Sequence, residues 1–288
     1  MAEQLFDPEF LNQLEQLRLH FRHKAAGQSG GGRQSKQLGV SSEFSDFREY
    51  QLGDDFRRVD WNAYARFGRL ILKLFMEERQ MQFHMLIDNS ASMQMYGKAL
   101  MAKRLALTMG YLALSSYDQM SITPLGETPG ESFGPVTGKA SFMRAAGYLE
   151  DMPVSPRTKL YDSITRLRFG SGSGICYVFT DGFSDDSLSD ALGYLRYYKQ
   201  KTTLVHILGP EEIRPGLEGE VRLLDTETGE QREVEMSPGL LRAYEEALRD
   251  FTAGLREACH KHGFAYEQIS SGMDLRQAVL EQLIISNN

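Results

Sequence analysis

From residue 82 onward the chain keeps one rhythm, in which short apolar runs are separated by longer stretches with helical spacing. The runs are FHMLID (83–88), QMSITPL (119–125), ICYVFTD (175–181) and TTLVHIL (202–208). Each has strand length, and most are near-continuously apolar rather than alternating as a strand with one wet face would be. Helical patterns lie between them near 97–116, 139–150, 159–168 and 187–199. Strands buried on both faces and joined by helices predict a doubly wound α/β fold with a mostly parallel sheet. The rhythm breaks at 219–236, where two polar-alternating arms flank TETGE and predict a surface β-hairpin. A helix over 239–262, a strand over 264–269 and a helix over 273–285 close the chain.

The first 80 residues read differently. Phe10, Leu11, Leu14, Leu17 and Phe21 are spaced as one face of a helix over 8–23. Residues 25–39, AAGQSGGGRQSKQLG, have the composition of a flexible loop, with Arg33 and Lys36 as candidate contacts for a phosphate or an acidic partner. Residues 43–79 are dense in charge and aromatic rings, with a β-like run at 70–75. The expected organisation is an N-terminal helix, loop and β-containing side module over 1–80, followed by the α/β domain over 81–288 with its inserted hairpin. Within the side module, Phe44, Tyr50 and Trp61 are expected to be anchors, with neighbouring acids and arginines paired internally. The competing reading makes Arg48, Arg57 and Arg66 a partner surface.

Composition narrows the function classes. The chain has 288 residues, 41% hydrophobic and 25% charged, with a net charge of −7, so no global basic field recruits nucleic acid or an anionic membrane. No apolar stretch approaches the length of a membrane span, and the N-terminus has no basic region followed by an apolar one. Cys176 and Cys259 are too few for a zinc site, and Cys176 lies within an apolar run, which points to a buried free thiol and a reducing compartment. A cytoplasmic location is the expectation.

The candidate chemistry sits at strand ends. In HMLIDNSASM the apolar run stops at Asp88, followed by Ser90 and Ser92; VFTDG ends a second strand at Asp181. Open α/β sheets bind ligands beyond the carboxyl ends of their strands. Two carboxylates there repel unless a cation lies between them, and an all-oxygen set with hydroxyls suits a hard cation such as Mg²⁺. Thr158, at the start of a predicted helix, is either its N-cap or a further hydroxyl ligand. Asp88 is likewise open to reading as a turn or cap residue. An enzymatic alternative is a Mg²⁺-dependent phosphatase or phosphotransferase of haloacid-dehalogenase-like type, with Asp88 as nucleophile. In such an enzyme the general acid falls two residues later, and that position holds Ser90, a poor proton donor. GPVTGKAS (134–141) has one residue too few for a P-loop, and GSGSG (170–174) lacks the nucleophilic serine of an elbow. His206 reads as a satisfied core histidine.

DNSAS, Thr158 and TDG together resemble the metal-ion-dependent adhesion site of von Willebrand factor A domains. The resemblance implies that Ser90, Ser92 and Thr158 surround a divalent ion, Mg²⁺ or another such as Mn²⁺. It also implies that Asp88 and Asp181 hold the ion directly or through water, and that an acidic residue of a partner completes the shell. The preceding segment, SEFSDFREYQLGDDFRRVDWNAYAR, resembles the bacterial domain of unknown function 58, whose members fuse it to a von Willebrand factor A-like domain. That likeness runs from about residue 8 to the C-terminus. Many members carry transmembrane helices upstream of the shared region, and this chain begins almost at it, so a soluble form is expected. The family commonly accompanies MoxR-type AAA+ ATPases, which makes such an ATPase the implied protein partner and a non-enzymatic binding module the implied function.

Overall fold

A computed structural model describes residues 5–27, 44–51, 54–75, 80–170, 172–184, 186–216, 219–224 and 229–283. Arg33 and Lys36 fall outside the described residues. The chain divides into two compact units, one of Met1–Gln28 with Met81–Asn288 and one of Ser29–Gln80. Helix α1 (Pro8–Gly27) therefore belongs with the sheet-bearing unit and not with the side module, with which it was grouped in sequence. The cause is its apolar face: Phe10, Leu14 and Leu17 are buried in that unit's main core.

The smaller unit holds strand β1 (Phe44–Glu49), a short helix α2 (Trp61–Phe67) and strand β2 (Ile71–Phe75). The two strands pair antiparallel, with Glu49 opposite Ile71 and Arg48 opposite Leu72. Asp60 caps α2, its carboxylate accepting from the N–H groups of Asn62 and Ala63. Arg48 pairs with Asp54 at 2.7 Å, as the internal-pairing expectation requires. Trp61 departs from expectation. It is 55% exposed, and Phe47, Phe56, Tyr64 and Phe67 are exposed with it. A two-stranded ribbon with a two-turn helix has too little interior for these rings. Among the described residues its buried apolar side chains are Val59 and Leu72. Trp61 instead packs beside Phe56 and Tyr64 on the surface, with ring centroids 6.4 and 6.2 Å away.

The larger unit is a doubly wound α/β fold. Its elements in chain order are β3 (Gln82–Asp88), α3 (Lys98–Ser115), β4 (Gln119–Leu125), β5 (Phe133–Val136), α4 (Phe142–Glu150), α5 (Leu160–Thr165) and β6 (Gly174–Thr180). There follow α6 (Leu188–Tyr197), β7 (Gln200–Leu208), α7 (Pro210–Ile213), β8 (Gly219–Leu224), β9 (Gln231–Met236), α8 (Pro238–Lys261), β10 (Ala265–Ser270) and α9 (Leu275–Gln277). Six strands form the sheet in the order β10-β7-β6-β3-β4-β5, all neighbours parallel except β4 with β5. The expected hairpin is present as β8 and β9, paired antiparallel apart from the main sheet. The P-loop-like stretch supplies instead the antiparallel edge strand β5 and a short 3₁₀ turn, Lys139–Ser141.

Successive side chains of a strand point to opposite faces, so the apolar runs feed two cores. Met85, Ile87, Tyr177, Phe179, Val205 and Ile207 join α1 and α3 on one face. Leu86, Cys176, Val178 and Leu204 join α5, α6 and α8 on the other. Both cysteines are free and buried. Among the described residues no helix is long and apolar enough to cross a membrane.

From β3 the chain runs outward to β4 and β5, then returns to place β6 on the opposite side of β3. The strand order reverses there, and the crevice that such a reversal opens lies beyond the carboxyl ends of β3 and β6. Asp88 and Asp181 stand at those two ends.

Candidate metal centre

Register assembles the centre of the site. Ile87 lies opposite Phe179, so the next pair along the parallel ladder is Asp88 and Thr180, side by side on one face. Thr180 Oγ1 donates to Asp88 Oδ2 at 2.7 Å. Asp88 Oδ1 accepts from the Ser90 N–H at 3.0 Å and from the Thr158 hydroxyl. Asp88, Ser90, Thr158 and Asp181 are at most 1% exposed. Ser90 Oγ and Ser92 Oγ are 3.0 Å apart.

Thr158 is not a helix cap. The residue that enters α5 is Lys159, and no side chain caps it. The hydroxyl of Thr158 turns to Asp88 because its loop is held from two sides. Asn89 binds it from β3: the Ser155 N–H donates to the Asn89 carbonyl at 2.8 Å, and Asn89 Nδ2 donates to the Pro153 carbonyl at 2.5 Å. The loop after β6 binds it from the other side. Ser184 Oγ donates to the Thr158 carbonyl at 3.2 Å and accepts from the Leu160 N–H, while Asp186 accepts from the Asp162 N–H.

Asp181 has different company. Its Oδ1 accepts from the Phe183 N–H at 3.2 Å, and its Oδ2 accepts from Lys98 Nζ at 2.9 Å. Its carbonyl meets His206 Nε2 at 2.9 Å, and the other ring nitrogen of His206 meets the Tyr266 hydroxyl at 2.7 Å. His206 is thus a satisfied core histidine that also steadies the loop carrying Asp181. Burial pulls its pKa down to about 4, so it is neutral near pH 7. The turn after Asp181 needs glycine: Gly182 has φ +78°, and a Cβ there would lie 2.8 Å from Leu255.

The electrostatics of the two aspartates differ. Asp88 is pushed up to about 6, first by burial and then by repulsion from Asp181, against the hydrogen bonds from Thr158, Thr180 and Ser90. All of those donors are neutral, so the buried charge of Asp88 lacks a neutralising counter-charge among them. Asp181 has one in Lys98. Lys98 is held above its ordinary pKa: burial opposes the charge, but Asp181 and Glu212 outweigh it.

The described residues contain no cluster of three His, Cys, Asp or Glu side chains able to hold a metal. The oxygen set of Asp88, Ser90, Ser92, Thr158 and Asp181 is of another kind, hydroxyls with carboxylates, which is hard-cation chemistry. The Ser90 and Ser92 hydroxyls are hydrogen-bonded to each other at 3.0 Å, so their two oxygens lie together beside Asp88. The sequence reading missed Lys98, Glu212, Thr180 and Asn89. Thr180 was legible as the residue before Asp181 in the same strand; Lys98 and Glu212 carry no motif.

The fold and this cluster define a doubly wound α/β protein with an oxygen-rich site at its topological switch point. The family model for the protein of unknown function DUF58 matches residues 46–253, and the chain belongs to that family. Uncharacterized proteins of Mycobacterium bovis and Mycobacterium tuberculosis are 25% identical over 243 residues, covering 81% of this chain and 76% of theirs. Among solved structures, the conserved hypothetical protein BatB from Bacteroides thetaiotaomicron is similar over 72% of this chain and 98% of its own, at 13% identity and a TM-score of 0.43. Proximal thread matrix protein 1 from the mussel byssus, solved with a zinc-occupied MIDAS motif, is similar over 44% of this chain and 36% of its own, at 13% identity and a TM-score of 0.35. Both structural likenesses are loose.

Proposed function

We propose that this chain is a metal-dependent protein-binding module with a von Willebrand factor A-like site. The hydroxyls of Ser90, Ser92 and Thr158, with the carboxylates of Asp88 and Asp181 directly or through water, hold Mg²⁺ or another divalent cation such as Mn²⁺, and the ion captures an acidic side chain of a protein partner. The observation that carries this reading is Asp88: a buried carboxylate served by neutral donors, beside two hydroxyls hydrogen-bonded to each other. A divalent ion there supplies the missing positive charge. Three neutral hydroxyls leave it electrophilic, so an incoming Glu or Asp carboxylate is favoured over a neutral amide.

The module is non-catalytic in this reading. Both oxygens of Asp88 already accept hydrogen bonds, which suits a charge anchor and not an in-line nucleophile. Ser90 stands where a phosphatase of that type needs an acid. The family resemblance adds the finer proposal that the partner is a MoxR-type AAA+ ATPase, for which this chain acts as a cytoplasmic adaptor or co-chaperone.

The test is capture of a purified MoxR-type ATPase from the same source by the full chain, in Mg²⁺ and then in EDTA, with Asp88→Ala in parallel. Retention is expected in Mg²⁺ alone and in the wild-type chain alone. Equal retention in all arms would place docking elsewhere.

A further inference from the structure

Lys98 is the first residue of α3 and is 1% exposed. The amino end of a helix carries partial positive charge, so an ammonium buried there is both desolvated and repelled. Two carboxylates offset this. Nζ donates to Asp181 Oδ2 at 2.9 Å and to Glu212 Oε1 at 2.6 Å. Glu212 is itself held, because its Oε2 accepts from the Gly209 N–H at 2.6 Å. Gly209 packs so tightly on Tyr96 that a Cβ there would fall 2.5 Å from the Tyr96 Cβ. The loop after β6 and helix α7 thus converge on one ammonium, and the segment before α3 packs against the turn that leads into α7.

We propose that Lys98 is a positioning residue of the metal site: its ammonium keeps the Asp181 carboxylate as a salt-bridge partner outside the ion's inner shell, leaving room and charge for a carboxylate brought by the partner. This rests on the metal-binding reading above and adds the reason why the captured group is acidic. With Lys98 in place, the ionised Asp88, Asp181 and Glu212 sum with it to two negative charges, which a divalent ion neutralises. Without Lys98 the same groups carry three, and the loaded site would repel an incoming carboxylate.

Mn²⁺ serves as the probe, followed by electron paramagnetic resonance on the full chain, which reads both affinity and inner-shell water. Lys98→Met is expected to bind Mn²⁺ at least tenfold more tightly than wild type, with fewer coordinated waters, because a unit charge a few ångströms from a divalent ion is a strong repulsion even at protein dielectric. Lys98→Arg should stay near wild type. Adding Asp181→Asn to Lys98→Met should erase the gain, because the gain works through that carboxylate. A lysine whose charge acts only at a distance would also tighten Mn²⁺ binding on removal, through lost repulsion, but would leave the number of coordinated waters unchanged; tightening without loss of coordinated water therefore overturns the positioning role. Should Lys98→Met fail to fold, Lys98→Met with Glu212→Gln relieves one buried charge and should show the same gain. Wild-type binding that is lost in Asp88→Ala, with no tightening in either Lys98 variant, overturns the role of Lys98 and leaves the metal site standing. No Mn²⁺ binding by any of these chains overturns both.

Discussion

Asp88→Asn exchanges the site's least compensated charge for a neutral group of the same shape. The carboxyl is raised from an ordinary 3.8 to about 6, so at pH 7 the folded protein bears an ionisation penalty of about 3 kcal/mol, at about 1.4 kcal/mol per pH unit. The sign follows from proton binding. Between pH 4 and 6 the folded state keeps a proton that the unfolded state has released, so this group's contribution falls as pH rises and is fully unfavourable above pH 6. Asparagine removes the penalty but sets an NH₂ donor where a carboxylate oxygen accepts from the Thr180 hydroxyl, at 2.7 Å. That mismatch costs about 1 kcal/mol. The net expectation is a metal-free variant about 1–2 kcal/mol more stable than wild type at pH 7. For a chain of this size that raises Tm by about 2–8 °C. In EDTA the variant's advantage should be gone near pH 4, where wild-type Asp88 is protonated as well and only the mismatch of about 1 kcal/mol, against the variant, separates the two. Added Mg²⁺ should raise the wild-type Tm and leave the variant's unchanged. Scanning calorimetry in EDTA at pH 4 and pH 7, with and without Mg²⁺, checks all of this. An Asp88→Asn protein less stable than wild type at pH 7, or a Tm gap independent of pH, would refute the reasoning.

Three further outcomes are expected. Trp61→Ala should cost under about 1 kcal/mol in urea unfolding, well below the 3–5 kcal/mol of a buried aromatic, and Trp61 fluorescence should be strongly quenched by iodide. His84 and His206 are both lowered to about 4 by burial, so the stability they contribute is present above pH 6.5 and lost as pH falls to 4. Two histidines oppose the single Asp88, so the wild-type Tm in EDTA should drop on acidification from pH 7 to 4, and a flat profile would contradict this. Generic phosphate esters and ATP should not turn over in Mg²⁺; activity that survives repurification and disappears in Asp88→Asn would restore the phosphotransferase alternative.

The apolar runs and the intervals between them were enough to announce a mostly parallel sheet covered on both faces, because burial on both faces of a strand leaves a mark in consecutive residues. The same runs placed Asp88 and Asp181 at strand ends, and the hairpin over 219–236 was visible in its alternating arms. Such patterns report what lies above and below each residue, and they are local. Which strand neighbours which is not local. It was the strand order that set β3 beside β6 and so set Thr180 against Asp88, 92 residues apart. Thr158 reads equally well as a helix cap or as a site hydroxyl until the loops carrying Asn89 and Ser184 are in place to turn it. Trp61 reads as an anchor until the size of its unit is known, for a ribbon and one short helix cannot enclose an indole. Lys98 looks like any charge at the head of a helix. Only the folded chain carries it 83 residues along the sequence to Asp181 and 114 to Glu212, where a buried ammonium becomes tolerable because the carboxylates that compensate it come from two other segments.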